Sequence, residues 1–183
     1  MNDILNNEEF RNDFEKMRAV SLNPAKHTAA NGYDHSEQVR KRTIDLANQN
    51  ECTPEQIELL ANLALVHDIG KISSTANPSK SVELLPKYGI KDELFIQLVK
   101  YHDTNLPWYN AARKGQPPSD KAWRKMAGKA DMRLLCIFMV ADRIDCPGGW
   151  KANEPLIWFI KEAKAKGYLD EPIFVDNEIL GET

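Results

Sequence analysis

The residues able to do chemistry concentrate in three stretches of this chain: DHSEQV around His35, LALVHDIGKI from Leu63 to Ile72, and VADRID from Val140 to Asp145. In the second, an apolar run from Ala61 to Val66 delivers the chain onto adjacent His67 and Asp68. Burying an ionisable group without a partner is costly, so such a pair needs ligands, hydrogen bonds or a cation. The same pattern also fits a plain helix C-terminus, with Gly70 as the stop signal. The third stretch repeats the pattern, because LLCIFMVADRID is almost wholly apolar until it meets Asp142. With His35 on the inward side of an earlier helix, two imidazoles and two carboxylates form a mixed nitrogen and oxygen set. That set suits a divalent cation such as Mn, Fe, Co, Ni, Zn or Mg. A cation would also neutralise carboxylates that a core otherwise rejects. Neighbours on a helix differ by about 100° around its axis, so His67 and Asp68 can approach one ion from different sides.

Those residues must be positioned by helices. Helical periodicity dominates and alternating β-branched runs are scarce, so the expected fold class is all-α, a bundle of about six to eight helices. A first helix is predicted over Glu8 to Val20, and a second from near Asp34 carries His35, Val39, Ile44 and Ala47 along one side. Thr53 as N-cap, Pro54 at the first position and Gln56 completing a capping box start a third helix that runs to His67. Ser79 to Lys87, stopped by Gly89, and Lys91 to His102 read as two more. Pro107, Gly115, Pro117 and Pro118 mark a long connection up to Ser119. One helix or a pair then ends in VADRID, and Pro147, Gly148 and Gly149 break the chain. A last helix spans about Glu154 to Lys166, and the tail after Gly167 reads as irregular.

The 183 residues fit one domain over 1–183, with a core at about 30–147 and the N-terminal helix, C-terminal helix and tail packed on it. A net charge of −3 gives no general attraction to nucleic acid or anionic membranes. The N-terminal MNDILNNEEFRNDF has acids where a signal peptide has bases, and no run reaches membrane-spanning length, so a cytoplasmic protein without a membrane partner is expected. Cys52, Cys136 and Cys146 form no paired spacing, which suits a reducing compartment.

The order H…HD…D, carried by DHSEQV, LALVHDIGK and VADRID, resembles the HD-domain metal-dependent phosphohydrolase superfamily from about His35 to Pro147. The resemblance implies His35, His67, Asp68 and Asp142 as metal ligands, with Asp145 a neighbour, and places Lys71 on the family's HDxGK lysine. LVKYHDTN resembles the segment that gives binuclear members a histidine for a second metal. Between Lys71 and Lys100 the further histidine of those members is missing, so one metal per chain is expected. His102 then lines the pocket or donates a proton, or simply caps a helix. His27 falls in a loop close enough in sequence to His35 to reach the same place. The implied chemistry is attack on phosphorus by metal-activated water, with Asp68 orienting or deprotonating that water. Lys71, His102, Arg143 and Lys151 would offset phosphoryl charge.

A small phosphorylated substrate, a nucleotide by preference, is the expected partner. From Thr104 to Arg133 seven basic residues (Arg113, Lys114, Lys121, Arg124, Lys125, Lys129, Arg133) stand against Asp120 and Asp131, with Trp108, Tyr109 and Trp123 interleaved. Such a segment suits phosphate pairing and base stacking, or forms a solvated helix face with anchoring aromatics. Trp150 and Lys151 are a second candidate rim for substrate near Asp142. Two alternatives stand beside the hydrolase: a nucleic-acid-binding module using 104–133, like the HD regions attached to tRNA nucleotidyltransferases, and a metal-retaining nucleotide sensor with little turnover.

Overall fold

Helix starts are written into this chain by short polar side chains. Asn7, Asn31, Thr53, Asn77, Asp92, Ser119, Asp131 and Asn153 each accept a backbone N–H from the first turn that follows. Each such cap contributes about 1 kcal/mol. In the computed structural model, which describes residues 1–181, the helices so started are α1 (Glu8–Lys16), α2 (Gly32–Gln49), α3 (Pro54–Val66), α4 (Pro78–Leu84), α5 (Glu93–Tyr101), α7 (Asp120–Ala127), α8 (Met132–Ala141) and α9 (Glu154–Ala165). Between α5 and α7 lies α6 (Asn105–Arg113). The capping box at Thr53 and Gln56 is formed from both sides.

The fold is all-α, as expected, but the described residues hold nine α-helices rather than six to eight. The excess comes chiefly from α6, in a stretch that Pro107 marked as connection. Pro107 occupies the third position of that helix, where a missing N–H leaves no internal bond unmade. The first helix also ends early, at Lys16, and gives way to a 3-10 turn over Met17–Ala19. The tail is not wholly irregular: β1 (Phe174–Val175) and β2 (Glu178–Ile179) pair antiparallel. Asp176 and Asn177 make the two-residue turn with φ of 52° and 69°. Both residue types tolerate that left-handed backbone, which a primed hairpin turn requires.

Packing follows from which faces are apolar. Every residue of α8 except Arg133 is buried, so α8 is the central helix. Helix α2 lies along α3, both pack on α8, and α5 packs on α3. These four helices carry the site. Helix α4 rests on the 3-10 segment Ile69–Ser73 and on α5, while α6 packs on α9. The buried apolar side chains form one contiguous cluster, on which the partly buried Val82 and Leu84 of α4 and Trp108 of α6 pack. Asp13 of α1 is buried and accepts from Lys16, Lys87 and Tyr88, each at 2.8 Å, tying α1 to the turn after α4. No helix among the described residues is long and apolar enough to cross a membrane.

Two of the three aromatic residues of 104–133, Trp108 and Trp123, are spent on packing, while the Tyr109 hydroxyl donates to Glu154 at the surface. Trp123 is 1% exposed and contacts Trp108 (4.8 Å between ring centroids), Phe159 (5.1 Å) and Tyr168 (6.2 Å, stacked). It therefore presents no face to a base and serves as an anchoring aromatic. Lys121, Arg124, Lys125 and Lys129 are exposed, whereas Arg133 is half-buried, donating to the Asn50 carbonyl and pairing with Glu171.

Candidate metal centre

Three helix C-termini and one helix N-terminal turn meet at one place. Helix α3 ends on His67, which still donates its backbone N–H to Leu63, and the chain leaves the helix at Asp68. Helix α8 is capped at its C-terminus by Asp142, and α5 by His102. Helix C-termini carry partial negative charge, so three of them together favour a cation. His35 comes from the first turns of α2, placed by the Asn31 cap.

Gly70 acts through close approach rather than through a left-handed stop. It lies inside the 3-10 segment, and a Cβ there would sit 2.5 Å from the Ser81 nitrogen and 2.7 Å from the Lys80 carbonyl carbon. Its N–H donates to Ser81 Oγ at 2.9 Å. The backbone of α4 thus rests directly on the turn that presents Lys71.

The donor atoms converge closely. His35 Nε2 lies 3.0 Å from Asp142 Oδ1 and 4.0 Å from Asp68 Oδ2. His67 Nε2 lies 3.2 Å from Asp142 Oδ1 and 3.3 Å from Asp68 Oδ2. Metal bonds of about 2.0–2.2 Å put adjacent ligand atoms about 2.8–3.6 Å apart and opposite ones about 4.0–4.4 Å apart. All four spacings fall in those ranges. His102 Nε2 joins the group 3.6 Å from Asp68 Oδ1.

The tautomers are fixed from behind. His67 Nδ1 is 2.8 Å from the Ala64 carbonyl and His102 Nδ1 is 2.6 Å from the Val99 carbonyl. A carbonyl only accepts, so Nδ1 carries a proton in both rings and each Nε2 is left to face the cluster. His67 is fully buried, and its Nε2 has no hydrogen-bond partner although two carboxylate oxygens face it. A buried ring nitrogen left unpartnered among carboxylate oxygens is what a resident cation would satisfy. These residues fit a divalent metal.

The electrostatics agree. Burial alone would push His35 and His67 below the usual imidazole range, but Asp142 and Asp145 raise His35 to about 9, and Asp68 and Asp142 raise His67 to about 10. Burial would raise the two acids, yet His67, His102 and Lys71 hold Asp68 well below the ordinary carboxylate range, and Arg143, His67 and His35 do the same for Asp142. The carboxylates stay charged and call for positive charge beside them. Lys71 Nζ donates to Asp68 Oδ2 at 2.6 Å, and Arg143 Nη2 donates to Asp142 Oδ2 at 2.7 Å. Asp103 is within 3.5 Å of Arg143.

Of the residues singled out in the sequence, the structure brings together His35, His67, Asp68, Asp142, Lys71, His102 and Arg143. Lys151 is not among them. It is exposed, pairs with Glu178 of the hairpin at 2.5 Å and lies over the Trp150 ring, which itself packs half-buried on the core. His27 does reach the neighbourhood, at Asp145 and edge-on to His35 with ring centroids 5.0 Å apart. Asp145, expected as a neighbour of the ligands, lies with Oδ2 3.1 Å from His35 Nδ1. Its three-residue offset from Asp142 past the end of α8 was the available signal. Ser81 and Asp103 carried none, since their roles exist only through tertiary contact.

Residues 32–146 match the HD domain family model, more than half of the chain. Comparison with curated proteins and with solved structures returns no match. The matched span opens three residues before His35 and closes one residue after Asp145, enclosing every residue of the convergent cluster, and the chain belongs to the HD-domain family.

Proposed function

We propose that this chain is a cytoplasmic metal-dependent phosphohydrolase that cleaves a phosphate ester of a nucleotide or a related small molecule. The observation that carries this reading is the buried, unpartnered Nε2 of His67 between Asp68 and Asp142 oxygens, with two cations immediately beside them. His35, His67, Asp68 and Asp142 would hold one divalent ion, which when bound makes water nucleophilic near neutral pH and polarises a phosphoryl oxygen.

The chain's own groups supply the rest. Lys71 and Arg143 have side chains 17% and 16% exposed, so each can turn from its carboxylate toward a phosphoryl group and offset its charge. Asp68 offers Oδ1 and Oδ2 to different neighbours, so one oxygen can serve the ion while the other orients a water or takes its proton. His102, with Nδ1–H tied to Val99, has only Nε2 free to pass a proton to a leaving oxygen.

The test is a phosphate-release screen over nucleotides and phosphodiesters with Mn, Co, Ni and Mg. Turnover that Asp68→Ala abolishes supports the reading. Absence of turnover on every substrate, with RNA binding that survives Asp68→Ala, replaces it with a binding module using the exposed Lys121, Arg124 and Lys125 of α7 and Lys129 just after it. Tight nucleotide binding without turnover replaces it with a sensor.

A further inference from the structure

Asp145 is a carboxylate that the proposed function leaves over. It is 2% exposed, yet what faces it is not a lysine or arginine. His35 Nδ1 lies 3.1 Å from Oδ2 without closing a full hydrogen bond, and His27 Nδ1 lies 3.3 Å from both oxygens. The Ala29 N–H donates to Oδ2 at 3.3 Å, and the Thr28 N–H donates to the Asp145 carbonyl at 2.9 Å. The other nitrogen of the same His35 ring, Nε2, faces Asp142 and Asp68. Asp145 therefore stands directly behind His35 on the side away from the cluster.

His67 and His102 have their Nδ1 protons held by backbone carbonyls from their own helices. His35 cannot use that device, because it sits at the start of α2 rather than at the end of a helix. Its Nδ1 meets a carboxylate delivered by another element. A carboxylate behind an imidazole fixes the tautomer, sets the ring plane and makes the opposite nitrogen a stronger donor.

We propose that Asp145 is a positioning residue, holding His35 with its proton on Nδ1 and its Nε2 lone pair aimed into the cluster. The competing role is mechanical: through Thr28 and Ala29, Asp145 also pins the loop that precedes α2. The proposal rests on the metal reading above, and its test separates the two.

Co(II) affinity is measured by calorimetry and by visible absorption for the wild type, Asp145→Asn, Asp145→Glu and Thr28→Pro, with ring nitrogen shifts of His35 recorded by NMR on the proteins saturated with diamagnetic Zn(II). Loss of a carboxylate behind a liganding histidine costs about 10- to 100-fold in metal affinity. The expected result is that loss in Asp145→Asn, a changed His35 tautomer signal, and partial recovery in Asp145→Glu. Thr28→Pro deletes one loop contact but leaves the carboxylate, so it should lower the melting temperature and keep Co(II) affinity within twofold. Equal loss of affinity in Thr28→Pro and Asp145→Asn overturns the proposal in favour of loop pinning. A folded Asp145→Asn with wild-type affinity and an unchanged His35 signal overturns it while leaving the metal site standing. No Co(II) uptake by the wild type overturns both.

Discussion

Replacing Gly70 with alanine tests how the turn that carries Lys71 is held. The new Cβ would meet the Ser81 nitrogen at 2.5 Å and the Lys80 carbonyl carbon at 2.7 Å, and both are backbone atoms. Restoring an ordinary contact of about 3.4 Å requires α4 and the turn to separate by about 0.9 Å, because a packed interior cannot absorb the overlap. The Gly70 N–H to Ser81 Oγ bond, 2.9 Å in the native turn, breaks at that separation. Overpacking costs about 1–3 kcal/mol and an orphaned buried N–H a further 1–3 kcal/mol. Reduced freedom of the unfolded chain returns about 0.4–1 kcal/mol. The net expectation is a loss of about 1–5.5 kcal/mol, centred near 3 kcal/mol, in urea unfolding followed by circular dichroism. Gly89→Ala is the comparison: nothing lies within 4 Å of a Cβ there, but φ is +73°. Its cost is only that of left-handed backbone, about 1 kcal/mol. If Gly70→Ala is as stable as the wild type, or no worse than Gly89→Ala, the close-approach account of Gly70 is refuted.

Two further expectations concern the scaffold. Asp13 is held at about 2 against its ordinary 3.8, since its bonds with Lys16, Lys87 and Tyr88 outweigh the opposing effect of burial. A depressed carboxyl stabilises the fold above its unfolded pKa, so the contribution is complete above about pH 4 and disappears as pH falls toward 2. After discounting for the exposed lysines, it amounts to about 1–2 kcal/mol. The difference in unfolding free energy between wild type and Asp13→Asn should therefore shrink between pH 5 and pH 2, and a constant difference contradicts the assignment. Trp123→Ala should cost about 3–5 kcal/mol, because the ring is enclosed by Trp108, Phe159 and Tyr168. A variant of wild-type stability that loses RNA binding would restore the stacking role for Trp123.

The convergent cluster was legible in the sequence because its chemistry breaks an otherwise apolar pattern. His67, Asp68 and Asp142 each follow a buried run at a helix end, where burial rules make an ionisable group conspicuous. His35 was legible only through resemblance joined to helical spacing. Asp145 was read only as a neighbour and Ser81 was not singled out, since each acts on a residue distant in sequence. The Gly70 signal was seen but assigned to the wrong cause: a glycine after a helix suggests a stop, whereas here α4 needs the space a side chain would fill. Helix α6 and the hairpin escaped for local reasons, Pro107 reading as a breaker when it falls in a first turn, and Asp176-Asn177 reading as loop when it is a two-residue turn.

The central claim, that the cluster holds a divalent ion, is tested most directly by Co(II) titration of chelator-treated protein with melting temperature as a second readout. One equivalent should bind. At 100 times the dissociation constant, binding stabilises the fold by about 2.7 kcal/mol, a rise of about 5–10 °C for a domain of this size. Asp142→Asn keeps the side-chain volume and should lose both the uptake and the rise. No uptake by the wild type, or undiminished uptake and stabilisation in Asp142→Asn and His67→Ala, would contradict the claim.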